Sequence, residues 1–500
     1  MNILNINLFK KYDLMQYNPK ESKIVESMLM KQISFKNYQL KKKGIFINCI
    51  SLNNPLQYQG WKIHISASNN NYFDILLIVI PYIVSLNVSF KVVSENGRNT
   101  MLSKNFPREQ TGKFITIYPQ NTVQCRAIIS FLNKSLKKYT GIPVLTDKRI
   151  SENNEISIRY GAFKRMLEYD TEGDPVYSII GKNGIKEPDD REVGHYKPSW
   201  IKKDPIAIND TINIDSQTKS MLEKYQFVAA LQFNNFGGVY EAIDKKNNKH
   251  VVIKEARKYI GGNSFKQMIP NDVRAIRRRE YKALLDLSKI KVAPAPIDYF
   301  ETNDGDYLVE EYIDWGLLKN IRLQNPVYYP NSCEKDYQIY LRKIAKIFEN
   351  LYKAINLIND KGLIINDLTP NNVLYDPKTL KVKVIDLESS TKKDNSGNRN
   401  SIFVTPGYTE MLNNKEIPEN DKFSWLMCLI DSLICRAQLL NIDSNAILLS
   451  LDFAKNLYNG WSELCNCLKE CFINRKDENY SEVINEIKRI AGEADEKRSI

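Results

Sequence analysis

Apolar and polar positions alternate along the chain with two different periods, and the switches between them outline its elements. Ile45–Ile50, Trp61–Ser66, Val88–Val93, Lys113–Tyr118 and Ile156–Tyr160 repeat at the two-residue period of strands. Tyr72–Ser85 and Val123–Tyr139 repeat at the helical period. Strands and helices therefore alternate from Ile45 to about Phe163, as in one α+β domain. Upstream, residues 1 to about 45 mix aromatic, amide and lysine residues with no clear period. Between Tyr169 and Asp215 the pattern breaks into Gly, Pro, Asp and Lys, as in Gly173-Asp-Pro and Glu187-Pro-Asp-Asp-Arg, which reads as a linker or covering loop. A second domain starts near Ser216, opens with strands, and becomes mainly helical after Tyr340. The expected fold class is α+β with two domains, 1–205 and 206–500.

Composition narrows the class of partner. The 71 Lys and Arg against 59 Asp and Glu give a formal charge of +12 and suit an acidic or phosphorylated ligand. The basic residues are scattered rather than striped, so nucleic acid is not the expected partner. The tight runs Lys41–Lys43 and Arg277–Arg279 read as solvated surface. Tyr72–Phe90 is the most apolar stretch, but Asp74 and Pro81 inside it favour a buried helix running into a strand over a membrane span. Met1-Asn-Ile-Leu-Asn-Ile-Asn has none of the features of a signal peptide. Cys465, Cys467 and Cys471 lie in a helix-like stretch without a fourth ligand, so helical core is preferred over a metal cluster. A reduced, cytoplasmic protein is expected.

The second domain carries a recurrent set of polar residues. Gly362-Leu-Ile-Ile-Asn-Asp-Leu-Thr-Pro-Asn-Asn-Val-Leu-Tyr-Asp376 places Asp367 five residues before Asn372, and Val382-Lys-Val-Ile-Asp386 ends a short strand on a carboxylate. Phosphoryl transfer needs an aspartate near the acceptor hydroxyl, plus an asparagine and a second aspartate for magnesium. Upstream, Gly237 and Gly238 sit between two strands and would let backbone approach phosphates, although a plain hairpin fits equally. Lys254 lies inside the apolar strand Val251-Val-Ile-Lys-Glu-Ala, where an ammonium needs an anionic partner. In the helix after Pro270, Val273, Ile276, Leu284 and Leu287 form an apolar stripe, and Glu280 falls on it. Lys254–Glu280 is the expected ion pair, with Arg277, Arg278 and Arg279 on the outer faces.

Lys254, Glu280, Asp367, Asn372 and Asp386 resemble, in order and spacing, the polar positions of the protein-kinase fold. Thr405-Pro-Gly-Tyr resembles the close of an activation loop, and Asp421-Lys-Phe-Ser the start of the central C-lobe helix. The resemblance implies an N-lobe at about 216–315 and a C-lobe at about 316–500. It also implies ATP, or another nucleoside triphosphate such as GTP, with Mg on Asn372 and Asp386. By the same likeness Gly237, Gly238, Lys254 and Glu280 serve the nucleotide, and Asp367 is the base. Phe233-Asn-Asn replaces the family's first glycines, Ile365-Asn366 its His-Arg, and Asp386-Leu-Glu388 its Asp-Phe-Gly. The missing arginine predicts a kinase that needs no activation-loop phosphate.

In the first domain Lys62 and His64 share one strand face, and Lys91 is held within a second apolar strand. Alone, His64 reads as a structural histidine. Arg98, Lys104, Arg108 and Lys113 follow within a short stretch, and Arg159 sits inside another strand, together suggesting a pocket for a dianion. Lys-x-His followed 27 residues later by a strand lysine resembles a phosphothreonine-lyase-like domain. That resemblance makes Lys91 the general base, His64 the general acid, and Lys62, Lys113, Arg159 and Arg108 phosphate ligands. With Gly60-Trp-Lys-Ile-His, Gly112-Lys-Phe-Ile-Thr-Ile-Tyr-Pro and Arg159-Tyr-Gly-Ala-Phe, the whole resembles a class III lanthipeptide synthetase, class IV being the near alternative. Such an enzyme phosphorylates Ser and Thr of a ribosomal precursor peptide and then eliminates the phosphate, leaving dehydroalanine or dehydrobutyrine. The implied partner is that peptide with a helical N-terminal leader, and a homodimer is a further expectation. The basic helix from Asn271 and the Tyr/Phe-rich N-terminus are the suggested leader surfaces. The family's cyclase domain is expected to be absent from this chain. A regulatory Ser/Thr kinase with a phosphopeptide-binding N-terminal domain is the alternative.

Overall fold

Seven antiparallel strands in the order β1-β2-β4-β5-β3-β7-β6 form the sheet on which the first part of the chain is built. In this computed structural model, residues 24–492 are described, apart from 34–36, 207–219, 262–271, 325–332, 393–404, 409–419 and positions 69, 152, 154, 165, 170, 174, 193, 406 and 442. Helix α1 (Ile24–Ile33) precedes β1 (Tyr38–Lys43) and β2 (Phe46–Ser51). Then come β3 (Gln59–Ile65), α2 (Tyr72–Ser85), β4 (Ser89–Val93), α3 (Glu95–Met101), β5 (Ile115–Tyr118), α4 (Thr122–Ser135), β6 (Lys148–Arg149) and β7 (Ile156–Ala162). The strong two-residue patterns did become strands, and Tyr72–Ser85 is a helix with Pro81 inside it. Ile63, Ile65, Phe90, Val92, Ile115 and Ile117 are buried on or between the sheet's faces with Ile75, Val79 and Ile83 of α2.

Two stretches without clear periodicity proved ordered. The lysine-rich run Lys41–Lys43 is exposed, as expected of surface, but it belongs to edge strand β1, where lysines discourage further strand pairing. The Tyr169–Asp215 stretch is not simply a linker. Strands β8 (Leu167–Tyr169), β9 (Pro175–Ile180) and β10 (Lys186–Pro188) form a three-stranded sheet, order β10-β9-β8. Short strands of mixed polarity offer too little repeat to be read from sequence.

Strands β11 (Tyr225–Phe233), β12 (Gly238–Asp244), β13 (Lys249–Arg257), β14 (Pro296–Glu301) and β15 (Gly305–Glu311) make a five-stranded sheet, order β11-β12-β13-β15-β14, with helix α5 (Arg274–Leu287) between β13 and β14. After them come β16 (Gly316–Leu317), α6 (Glu334–Asp360), β17 (Leu363–Ile364), β18 (Val373–Tyr375), β19 (Val382–Val384) and β20 (Thr391–Lys392). Helices α7 (Asn420–Ile434), α8 (Ser444–Ala454), α9 (Trp461–Asn474) and α10 (Asp477–Ile490) complete the described chain. The cysteine-containing stretch is the helix α9, with Cys465 and Cys471 buried in its packed face. No helix among the described residues is long and apolar enough to cross a membrane.

By packing, one compact unit comprises Met1–Lys249, Ile253–Ala275 and Phe300–Tyr307, and the other His250–Val252, Ile276–Tyr299 and Leu308–Ile500. In the second unit α6 is the central support: Tyr340, Ile344, Phe348, Leu351 and Ile355 bury one helical stripe against Trp425 and Leu429 of α7. The Trp425 indole N–H donates to the Phe348 carbonyl at 2.8 Å, so even this large core side chain leaves no donor unsatisfied.

Candidate active sites

Strand register gathers the first set of residues. Lys91 on β4 and His64 on β3 both lie opposite Thr116 of the intervening β5, so all three point to one face of the sheet. On the other side of β3, His64 is opposite Ser157 and Lys62 opposite Arg159 of β7. Side chains two residues apart on β3 thus face neighbours on β7, placing Lys62, His64, Lys91 and Arg159 on that same face. Lys113 precedes β5 and is buried; its ammonium donates to Thr146 Oγ1 at 2.8 Å.

Two carboxylates organise these cations, and sequence reasoning identified neither. His64 Nδ1 is hydrogen-bonded to Asp147, whose other contacts are Thr146 Oγ1 at 2.9 Å, Ser157 Oγ at 3.1 Å and Lys113 Nζ at 3.6 Å. Arg159 donates to Asp189 at 2.8 Å and to the Asp190 carbonyl, and Arg191 lies 3.5 Å from Asp189. Asp147 sits on a loop and Asp189 just beyond β10, where no periodicity marks an inward position. The mixed-charge stretches Thr146-Asp147-Lys148-Arg149 and Asp189-Asp190-Arg191 were the available signals, and both look like ordinary surface.

Burial in this company reshapes the acid–base properties. Lys91 is pushed down to about 8 by burial, assisted by Lys113 and Arg191. Burial takes Lys62 down to about 7; Asp189 opposes that change, while Arg159, Arg191 and Lys91 add to it. Lys113 is also lowered, by burial first, against the pull of Asp147. Burial would raise Asp147, but His64, Lys113 and the Thr146 hydroxyl outweigh it and hold the carboxyl below the usual range. Burial, with Lys113 and Lys62, takes His64 down to about 4 although Asp147 pulls the other way. A basic pocket that strains to keep its protons is one an incoming dianion would relieve. Thr116 Oγ1, Arg159 Nε and Arg191 Nε are buried there without a hydrogen-bond partner among the described residues, polar atoms of the kind a ligand satisfies.

Arg108 points elsewhere. Its guanidinium bonds Glu255 of β13 at 3.3 Å and stacks over the Phe233 ring. Glu255 also accepts from the Gly238 amide at 2.9 Å and the Tyr240 hydroxyl at 3.0 Å. The turn of Gly237 and Gly238 is tight: a Cβ on Gly237 would fall 2.0 Å from the Glu255 carbonyl oxygen, so no side chain fits. Lys254 is buried on β13 in the same unit.

In the second unit, Glu280 is fully buried on α5, as the apolar stripe requires. Its neighbour Arg277 is not on an outer face, as the basic run suggested. It is buried and bonds Glu280 three residues on, with Glu388 3.9 Å from its other guanidinium nitrogen. Burial alone would lower Arg277; Glu280, Glu388, Asp386 and Glu310 together hold it above its ordinary value. Helical geometry explains the error, since positions three apart share a face and Arg277 therefore accompanies Glu280 inward.

The loop after β17 is held from two sides. Asp421, heading α7, accepts from the Ile365 amide at 2.8 Å, the Asn366 amide at 2.9 Å and the Asn359 side chain at 3.0 Å. Asn366 has a left-handed backbone (φ 65°), and its side chain donates to Ser389 O at 2.8 Å and Thr391 Oγ1 at 2.9 Å. Asp367 Oδ1 accepts from the Thr405 amide at 2.8 Å, and Asn372 donates to the Asp367 carbonyl at 2.9 Å. Asp386 follows β19 in a left-handed conformation (φ 59°). Asp367, Asn372 and Asp386 are therefore brought to one end of the β18–β19 hairpin. Residues 393–404 between β20 and Thr405, the N-terminal 23 residues and the start of the Asn271 helix lie outside the described residues.

Residues 225–488 match the protein kinase domain, so the chain belongs to the protein kinase family. Residues 27–217 match the RamC N-terminal domain. The chain is similar to a probable SapB synthase of Streptomyces coelicolor, 27% identical over 378 residues, which cover 74% of this chain and 39% of that protein. It is also similar to a calcium/calmodulin-dependent protein kinase type II of Schizosaccharomyces pombe, 27% identical over 31% of this chain and 27% of the relative. Serine/threonine-protein kinase 33 of Mus musculus is 24% identical over 37% of this chain and 35% of its own length. The chain thus spans about two-fifths of the length of the SapB synthase, and less of these kinases.

Proposed function

We propose that this chain dehydrates Ser and Thr side chains of a ribosomal precursor peptide, as a class III-like lanthipeptide synthetase does: its kinase domain phosphorylates the hydroxyl and its N-terminal domain eliminates the phosphate. The likeness to a SapB synthase, running through both domains, supports the pairing. The observation that carries the reading is the N-terminal sheet face, where a lysine lowered to about 8 and a carboxylate-backed histidine flank buried donors that have no partner among the described residues.

In the kinase step Asp367 accepts the proton of the substrate hydroxyl as its oxygen attacks the γ-phosphorus, and the bond to the β-phosphate bridging oxygen breaks. Lys254, buried on β13, binds the nucleotide phosphates. The carboxylate of Asp386 and the amide oxygen of Asn372 are hard oxygen donors suited to magnesium. Asn372 uses its N–H on the Asp367 carbonyl, which keeps its oxygen available. Magnesium, when bound, neutralises developing charge on the transferring group.

In the elimination step neutral Lys91 takes the α-proton of the phosphorylated residue. The electron pair forms the Cα=Cβ bond and the Cβ–O bond breaks. Lys62, Lys113 and Arg159 carry the charge of the departing phosphate, and His64 protonates it. Burial, with Lys113 and Lys62, disfavours a proton on His64; the charge of a bound dianion opposes this, while Asp147 orients the ring and stabilises its charged form. Nothing in this scheme uses Arg108, which is engaged with Glu255.

Mass spectrometry of a Ser-containing precursor peptide incubated with the protein, ATP and Mg tests the reading. Loss of one water per modified residue is expected. Accumulated phosphopeptide with no dehydration would leave only a kinase, and an unchanged peptide would overturn both steps.

A further inference from the structure

The turn between β11 and β12 differs from a free glycine-rich flap in that its tip is sunk into the N-terminal part of the same compact unit. Asn235 is fully buried. Its side-chain amide donates to the Met101 and Ser103 carbonyls, both at 2.9 Å, and its backbone N–H donates to Lys104 O at 3.0 Å. Its side-chain oxygen accepts from the Thr111 hydroxyl at 2.7 Å and from Arg257 at 3.1 Å. Both donors and both acceptor positions of the carboxamide are therefore used, which fixes its orientation without freedom to flip. Arg257, also buried, donates as well to the Asn235 backbone carbonyl at 3.3 Å and onward to the Pro143 carbonyl at 3.0 Å.

The rest of the turn is held to match. Asn234 Oδ1 accepts from the amides of Phe236 at 2.8 Å and Gly237 at 3.3 Å, and Glu255 takes the Gly238 amide. Phe236 is buried. Asparagines thus stand where phosphate-binding loops carry glycines, and they spend their capacity on fixing the loop. In a flexible loop, closure over a nucleotide costs conformational entropy for every residue it orders. A loop held in advance avoids part of it, provided its anchor is intact.

We propose that Asn235 is a positioning residue for the nucleotide loop, and that the Met101–Thr111 segment of the N-terminal domain is its anchor, so that nucleotide affinity in the kinase domain depends on the neighbouring domain. This rests on the proposed kinase step for its substrate, but it is tested on nucleotide binding alone. Thr111→Val removes one hydroxyl at constant shape, and Thr111→Ser restores it. Titration calorimetry of the full chain with a non-hydrolysable ATP analogue and Mg should show affinity weakened about fivefold or more in Thr111→Val, the scale of one lost buried hydrogen bond, with Thr111→Ser close to the wild type. Asn235→Ala should weaken it further. Equal affinity in wild type and Thr111→Val overturns the proposal, and so does equal weakening in Thr111→Val and Thr111→Ser. Should Asn235→Ala not fold, the Thr111 pair decides alone. Wild type that binds the analogue yet modifies no peptide would count against the proposed function and leave the anchor intact.

Discussion

Lys91 and Lys113 are both lysines in an apolar setting, and their neighbours decide what each can do. Lys113 has Asp147 at 3.6 Å and Thr146 in hydrogen-bond contact, so its proton is supported. Burial, with Lys113 and Arg191 beside it, pushes Lys91 down to about 8, although the Phe46 ring 4.0 Å from its nitrogen favours the charged form. A base must be deprotonated to act, and its free fraction grows as pH rises to that value. With phosphopeptide bound, where the dianion favours protonated His64 and also holds the proton on Lys91, kcat for elimination should still be climbing at about pH 8; the phosphoryl group's own ionisation near ~6 is complete well below that. A plateau already reached at pH 7 would remove Lys91 from the base role. Asp147 supplies a second check. Asp147→Asn leaves His64 a neutral neighbour and the wrong tautomer, so elimination should slow by about 10²-fold or more. Phosphorylation of the same peptide should be unaffected, and a normal elimination rate would show that His64 needs no carboxylate behind it.

At the scale of elements, the loop after β17 is tied to the chain after β19 without any charged group. Asn366 ties that loop to Ser389 and Thr391 through uncharged hydrogen bonds, and β17 pairs directly with β20. The tie exists without a phosphate, so phosphatase treatment should leave peptide phosphorylation within about threefold. Asn366→Gly keeps the left-handed backbone at no steric cost and deletes the tie; kinase rate should fall several-fold, each lost bond being worth about 1 kcal/mol. Unchanged phosphorylation in that variant would place the ordering of the segment elsewhere. The sequence exposed this loop because its chemistry is local: Asp367, Asn372 and Asp386 are close in sequence and lie between short apolar strands. The long periodic strands β3, β4 and β7 were equally plain, and with them the shared face of Lys62, His64 and Lys91. Asp147, Asp189 and Arg191 were hidden because they reach the site from loops and a short sheet, where burial is set by tertiary packing alone. Arg277 was misplaced for the opposite reason: in a run of three arginines, charge suggested the surface while helical spacing pointed inward.

For the molecule as a whole, the reading implies two chemistries that share a peptide and exchange a phosphate. Each can be silenced alone. Asp367→Asn removes the proton acceptor of the kinase step and should lower phosphorylation by about 10²–10⁴-fold, and it replaces no residue of the β3–β5–β4 face. That variant should convert a chemically phosphorylated peptide to the dehydrated product at the wild-type rate. Lys91→Ala should do the reverse, with phosphopeptide accumulating and no dehydration following. Mixing the two variants with unmodified peptide, ATP and Mg then asks whether the phosphate-bearing intermediate leaves one molecule and enters another. Dehydrated peptide should appear after a lag, because a charged phosphopeptide is soluble and the basic pocket attracts it from solution. Mass spectrometry over time would show phosphopeptide rising first and falling as dehydration grows. If each variant behaves as stated alone but the mixture yields phosphopeptide only, the intermediate passes within one chain. If Asp367→Asn fails on the pre-phosphorylated peptide, the elimination chemistry does not belong to the N-terminal sheet, and the assignment of His64 and Lys91 falls with it.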